Sequence, residues 1–216
     1  MKRPRLLVVV TGTGTEVGKT FVAAGLVDEM RRRSATVVAR KPVQSFSPGQ
    51  LTDADILARA SGEPVDVVCP PHRAYPIPMA PPMAAEALGC PVPSVSDLTE
   101  ELARSWPDGG IDLGLVEGAG GVASPLTSDG DTTSLVSALG ADLVVVVSDP
   151  GLGVINLVRL STLALGGTEL LVHLNRFHQD EDLHRLNRRW LVERDGLEVT
   201  TSIEGLADVV AARLRR

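Results

Sequence analysis

The chain alternates between short, unbroken apolar runs and longer stretches whose apolar residues recur every three or four positions. Arg5–Val10, Ala35–Arg40, Leu113–Val116, Leu143–Ser148 and Leu170–Leu174 show little polar alternation, as expected of strands buried on both faces. Between them, Lys19–Arg32, Ala54–Arg59, Val95–Ser105, Thr133–Ala138 and Ile155–Leu165 read as helices. Ser94 and Ser96 are candidate caps for the third of these. The end, "GLADVVAARLRR", is apolar at Leu206, Val209, Val210 and Leu214 and predicts a last helix packed on the sheet. Strands alternating with helices need right-handed crossovers, which give a mainly parallel sheet. The pattern therefore predicts one α/β domain over residues 1–216, with helices on both faces of the sheet and no repeat or linker.

One segment departs from this rhythm. Pro64–Pro93 is proline-rich and reads as a long connection over the strand ends with one short helix, Met83–Leu88. It is either a structural loop or a cover over a substrate.

Composition narrows the class. At 216 residues the chain is long enough for a sheet covered on both faces. Its net charge of −6, with arginines only in local clusters such as Arg31–Arg33 and Arg213–Arg216, argues against nucleic acid as a partner. No run has the length of a signal peptide or a membrane span. Cys69 and Cys90 lie among prolines at a spacing unsuited to a metal, so a reduced, cytoplasmic pair is expected. Of the 21 lysines and arginines, only Lys2, Lys19 and Lys41 are lysines. Lysine is a compact point charge that fits between phosphate oxygens where arginine's fork does not substitute easily.

Chemistry concentrates at strand ends. "VVVTGTGTEVGKTF", Val8–Phe21, has the strand, glycine turn and helix start of a phosphate loop. The usual first glycine is replaced by Thr13, with glycines on either side at Gly12 and Gly14; these are expected to supply positive φ. Backbone amides and the helix dipole can hold a polyphosphate. Lys19 would reach the β- and γ-phosphates and the Thr20 hydroxyl would hold Mg²⁺. Lys41, in "RKPVQS", stands at the carboxyl end of the second strand, where ligands collect in open α/β sheets. Glu117, in "LVEGAGG", is placed to bind Mg²⁺, and Gly118, Gly120 and Gly121 allow close backbone approach. Asp53 and Asp55, in "LTDADIL", form a further carboxylate pair; helix capping suits Asp53 better than Asp55.

Together "TGTGTEVGKT", "KPVQS", "TDADIL", "VEGAGG" and "GLGVINL" resemble, in order and spacing, the dethiobiotin synthetases of the phosphate-loop NTPase class. That family's members are homodimeric α/β enzymes of biotin synthesis. They convert 7,8-diaminopelargonic acid, CO₂ and ATP to dethiobiotin, ADP and phosphate. The resemblance implies Mg²⁺ as cofactor and catalysis by Lys19, Lys41 and Thr15. It implies a nucleotide site of Gly14, Thr15, Glu16, Val17, Gly18, Lys19 and Thr20, with Asn175 reading the base, and metal binding by Thr20, Asp55 and Glu117. For the substrate it implies Thr15, Lys41, Ser45, Glu117, Gly118, Ala119 and Gly120. Gly153 and Asn156, at a helix start, would receive the substrate carboxylate across a subunit interface.

Three departures stand out. Gly14 replaces a frequent aspartate, Leu157 replaces the histidine of the common "INH", and "LEVTTSIEGL" lacks a proline-containing base-contact segment. Carboxylate binding then rests on Asn156 and backbone amides, and base preference stays open. His72, His173, His178 and His184 are expected to be surface or structural residues. The rival readings are a partitioning ATPase of the ParA or MinD kind, whose signature lysine near Gly14 is missing here, and an amidoligase, whose appended glutaminase domain does not fit in 216 residues.

Overall fold

The structure is a computed structural model that describes residues 3–215; Met1, Lys2 and Arg216 lie outside the described residues. In chain order the elements begin with β1 (Leu6–Gly12), α1 (Lys19–Arg32), β2 (Val37–Arg40), β3 (Gln44–Ser45), α2 (Asp53–Ser61) and α3 (Val65–Val68). There follow β4 (Ala74–Tyr75), α4 (Pro81–Ala87), α5 (Val95–Ser105), β5 (Leu113–Glu117), α6 (Thr132–Leu139) and β6 (Leu143–Ser148). The chain ends with α7 (Val154–Ala164), β7 (Leu170–Leu174), α8 (Asp182–Glu193), β8 (Val199–Thr200) and α9 (Ile203–Leu214).

Six strands form one parallel sheet in the order β2-β5-β1-β6-β7-β8. Alternate residues of each strand face opposite layers. Val8 and Val10 of β1 pack with Leu26 of α1, Leu57 of α2 and Leu206 of α9. Leu7 and Val9 pack on the other face with Leu98 and Leu102 of α5 and Leu135 of α6. Both faces are thus covered, which is why these strands read as continuous apolar runs. Each fully buried leucine contributes roughly 1.5–3 kcal/mol by leaving water.

All five expected strands form. β1 runs past Val10 because Thr11 and Gly12 continue the ladder against Val146 and Val147 of β6. The segment 64–93 is more structured than a plain connection: it contributes α3, β4 and α4, and β4 pairs with β3 in a separate two-stranded sheet. Cys69 and Cys90 are both free, and burial pushes the Cys69 thiol up to about 12.

β2 is an edge strand, and its outer side is closed by side chains. The Ala39 amide donates to the Glu63 carboxylate at 2.8 Å, and the same carboxylate pairs with the buried Arg40 at 2.7 Å. The Lys41 amide donates to the Val68 carbonyl at 2.7 Å. Lys41 is therefore fixed by α3 and by the turn after α2, although it is distant from both in sequence. No helix among the described residues is long and apolar enough to cross a membrane.

Candidate active site

The loop between β1 and α1 sits at the carboxyl end of the central strand. Thr13 is not a defect in it. Its amide donates to the Val147 carbonyl at 3.0 Å, and its hydroxyl lies 2.9 Å from that of Ser148, so it anchors the loop to β6. Positive φ falls at Glu16 (60°) and Gly18 (92°), not at Gly12 or Gly14. Gly12 is required for a different reason: a Cβ there would lie 2.7 Å from the Val17 side chain. A Cβ on Gly14 would meet nothing within 4 Å. α1 opens without a side-chain cap and without an acid in its first turn, which suits an anion. The buried Lys19 ammonium donates to the Gly14 carbonyl at 2.7 Å. Burial, and then the charge of Lys41, holds its pKa below the ordinary lysine value.

A second cluster lies below this loop. Lys41 Nζ, fully enclosed, donates to Glu117 Oε1 at 2.7 Å and to the Gly118 carbonyl at 2.9 Å, and pairs with Asp53 at 2.7 Å. The Thr20 hydroxyl lies 2.8 Å from Asp53 Oδ1 and 2.9 Å from Glu117 Oε1. Burial works against the charge on Lys41, but Glu117 and Asp53 outweigh it and raise its pKa. Asp53 is pulled down: burial opposes ionisation, and Lys41 and then the Thr20 hydroxyl overcome it. Glu117 is completely buried, which pushes its carboxyl up, and its Oε2 has no hydrogen-bond partner. A hydroxyl and two carboxylates, one with an unpartnered buried oxygen, are the hard oxygen donors that suit Mg²⁺.

Asp55, expected beside Glu117 from the sequence, does not join this cluster. Its carboxylate accepts from the Thr52 amide (2.9 Å) and hydroxyl (2.7 Å), closing a capping box at the start of α2. Asp53, two residues earlier, faces Thr20 and Lys41. The T-x-x-D spacing of Thr52 and Asp55 was the available signal, because it commits Asp55 to the cap and frees Asp53.

Residues 7–213 match the family model described as an AAA domain. The chain is 40% identical over 166 residues to the ATP-dependent dethiobiotin synthetase of Rhodococcus jostii, covering 76% of this chain and 69% of that protein. With the enzyme of that name from Anaeromyxobacter sp. it shares 39% over 168 residues, 76% of this chain and 72% of the other. The chain belongs to the dethiobiotin synthetase family. For the Parafrankia member the match is 39% identical over 156 residues, 72% of this chain and 63% of that protein's length.

Solved structures support the fold alone. A plasmid partition protein from Borrelia burgdorferi superposes with a TM-score of 0.58 at 11% identity, covering 99% of both chains. A DUF1611 protein from Anabaena variabilis gives 0.57 at 16% identity, over 98% of this chain and 57% of the other. The plasmid partition protein thus shares the architecture, while the similarity near 40% belongs to the synthetases.

The remaining residues of this dethiobiotin synthetase family member divide between two places. Gly118, Ala119 and Gly120 lie beside the phosphate loop: the Gly118 amide donates to the Val10 carbonyl, and a Cβ on Gly121 would come within 3.5 Å of Gly14 Cα. Thr15 and Glu16 are exposed at the loop's mouth. Ser45 follows Lys41 on β3 and donates to the Met79 carbonyl. Asn175, after β7, donates to the Val17 carbonyl at 3.0 Å, and a Cβ on Gly18 would lie 2.1 Å from its Nδ2. It therefore supports the loop directly, a contact that sequence reasoning did not anticipate. Gly153 (φ 91°) caps α7, and Asn156 is exposed in its first turn. No hydrogen bond among the described residues ties either of them to Lys41 or Glu117. His173 is structural: its ring lies 3.0 Å from the Thr200 hydroxyl, and burial lowers its pKa to about 4.

Proposed function

We propose that this chain synthesises dethiobiotin from 7,8-diaminopelargonic acid, CO₂ and ATP, and that two copies form the working enzyme. The observation that carries the reading is the cluster of Lys41, Glu117, Asp53 and Thr20 beneath the phosphate loop. One amine of the substrate adds CO₂ and loses a proton, giving a carbamate. A carbamate oxygen attacks the γ-phosphorus of ATP and ADP leaves. The second amine then attacks the carbonyl carbon of the mixed anhydride, expelling phosphate and closing the five-membered urea.

Dense negative charge passes through one point in both stages, and preorganised cations stabilise it. Lys19 exchanges the Gly14 carbonyl for phosphate oxygens. Lys41 uses its three donors on Glu117, Asp53 and Gly118; half-exposed Asp53 is the partner that a carbamate oxygen can replace. Thr20, Asp53 and Glu117 would hold Mg²⁺, which supplies charge neutralisation at the phosphates when bound. Thr15 at the mouth and Ser45 near Lys41 line the substrate side, with Gly118, Ala119 and Gly120 offering backbone. Gly14, Glu16, Val17 and Gly18 complete the nucleotide loop, with Asn175 near the base.

Support for the dimer comes from α7. Leu152 just before it is 93% exposed, and Leu160 and Leu163 on it are 58% and 79% exposed, an apolar face that water does not favour. In this reading Gly153 and Asn156 of one copy receive the substrate carboxylate held by the other. The decisive assay incubates the protein with the diamine, bicarbonate, Mg²⁺ and ATP and analyses the product by mass spectrometry. The expected product is heavier than the diamine by a carbonyl less two hydrogens. ATP hydrolysis that ignores the diamine would instead indicate a switch. The same assay with CTP and GTP establishes base preference.

A further inference from the structure

α7 starts with little help from its own residues. Gly153 gives no side-chain cap, and the first turn carries no acidic side chain. Leu157 brings no charge. A carboxylate arriving there is held by Asn156 and by the orientation of the first backbone amides, so the loop that aims the helix, 149–153, decides the geometry. Two of its five residues are glycines, Gly151 and Gly153, and Leu152 between them is almost wholly exposed. Such a loop does not hold one direction unaided.

Side chains hold it, beginning with the Ser148 hydroxyl, which donates to the Asp149 carbonyl at 3.3 Å. Asp149 accepts the Gly151 amide at 2.9 Å. The stronger anchor comes from α8: Asn187 Nδ2 donates to the Pro150 carbonyl at 2.9 Å and to the Gly151 carbonyl at 3.0 Å. Asn187 is buried on the inward side of α8, with Leu191 packed one turn later among Val154 and Val158 of α7. A primary amide has two hydrogens on one nitrogen, and here both go to successive carbonyls. Alanine removes both donations and leaves the Gly151 carbonyl only the longer bond from the Val154 amide at 3.3 Å, and aspartate replaces the two donors with repelling oxygens.

We propose that Asn187 is a positioning residue for substrate recognition: it fixes the 149–153 loop so that the first amides of α7 point at the substrate's carboxylate. The proposal rests on the reading of α7 as the carboxylate end of the site. It makes α8, which bears none of the family motifs, a determinant of affinity for the acid end of the diamine and not of the phosphoryl chemistry.

The test compares 7,8-diaminopelargonic acid with a vicinal diaminoalkane of equal chain length that lacks the carboxylate, using the full-length protein. In Asn187→Ala the KM for the amino acid should rise about tenfold or more, while kcat and the KM for ATP stay within about threefold. The carboxylate-free diamine should be processed equally by both proteins. Asn187→Gln, which keeps the double donor, should recover part of the affinity, and it also serves if the alanine variant fails to fold. A variant that keeps the wild-type preference for the carboxylate, or loses kcat equally on both diamines, overturns the proposal. If the wild-type protein itself does not distinguish the two diamines, the α7 reading fails and the Asn187 proposal falls with it. The two failures are therefore told apart by the wild-type measurement.

Discussion

The two halves of the sheet's carboxyl edge are built on opposite principles. At β2, β5 and β1 the functional groups are buried charges: Lys41 and Glu117 are 1% and 0% exposed and are locked to each other, to Asp53 and to Thr20. At β6 and β7 the helices that follow leave large apolar side chains in water, Leu160 and Leu163 on α7 and Leu183, Leu186 and Trp190 on α8, beside the exposed Arg185, Arg188 and Arg189 of α8. A buried charge must find its partners within the chain, because desolvation leaves no alternative. An exposed apolar face has no such requirement until another surface arrives. The first half finds its partners within one copy, and the second leaves apolar side chains that the proposed second copy would cover.

The largest expected effect lies in the buried half. Lys19→Ala should reduce dethiobiotin formation by about a thousandfold or more, within the range of charge-stabilising groups; near-normal turnover would remove its assigned role. Lys41→Gln should lose far more rate than nucleotide affinity, and equal losses in both would reject a transition-state role. It should also lower thermal stability by roughly 3–5 kcal/mol, the cost of leaving a buried partner uncompensated.

A sharper contrast lies two residues apart. Asp53→Asn should cost about ten- to a hundredfold in rate and raise the Mg²⁺ concentration needed for half-maximal activity. Asp55→Asn should leave the rate within about twofold and cost up to about 1 kcal/mol through the weakened cap. Reversed effects in a magnesium titration would return the metal site to Asp55.

The smallest effect on folding but a clear one on assembly is expected at α7. Leu160→Asp places a charge on a side chain already in water, so its melting temperature as a monomer should barely move. Sedimentation should show the wild type as the proposed dimer and the variant as single chains, with activity falling in step. A variant that remains dimeric and active would make the apolar face incidental.

How much of this was legible in the sequence follows the same division. The strands around β1 were visible because burial on both faces forces continuous apolar runs, Lys41 and Glu117 because they stand where such runs end, and Lys19 because it follows the glycine loop at a helix start. Read from the sequence, Asp53 goes to a cap and Asp55 to the metal; in the structure Asp55 closes the capping box with Thr52 while Asp53 faces Thr20 and Lys41. α8 went unnoticed. Its sequence, "DLHRLNRRWLVE", is rich in charge and places only Asn187 and Leu191 in the interior, so the periodic signal was weak. The roles of Thr13, Asn175 and Asn187 depend on partners 135, 158 and 36 or 37 positions away. No local pattern announces such contacts.

The closed outer side of β2 has one more consequence. An edge strand with free amides invites another chain to extend the sheet, and here Glu63 occupies an amide that an incoming strand would need. The same carboxylate holds Arg40, the residue next to Lys41. Resistance to strand addition and the footing of the buried lysine are thus inherited together: one acidic side chain serves both solubility and the integrity of the reaction centre.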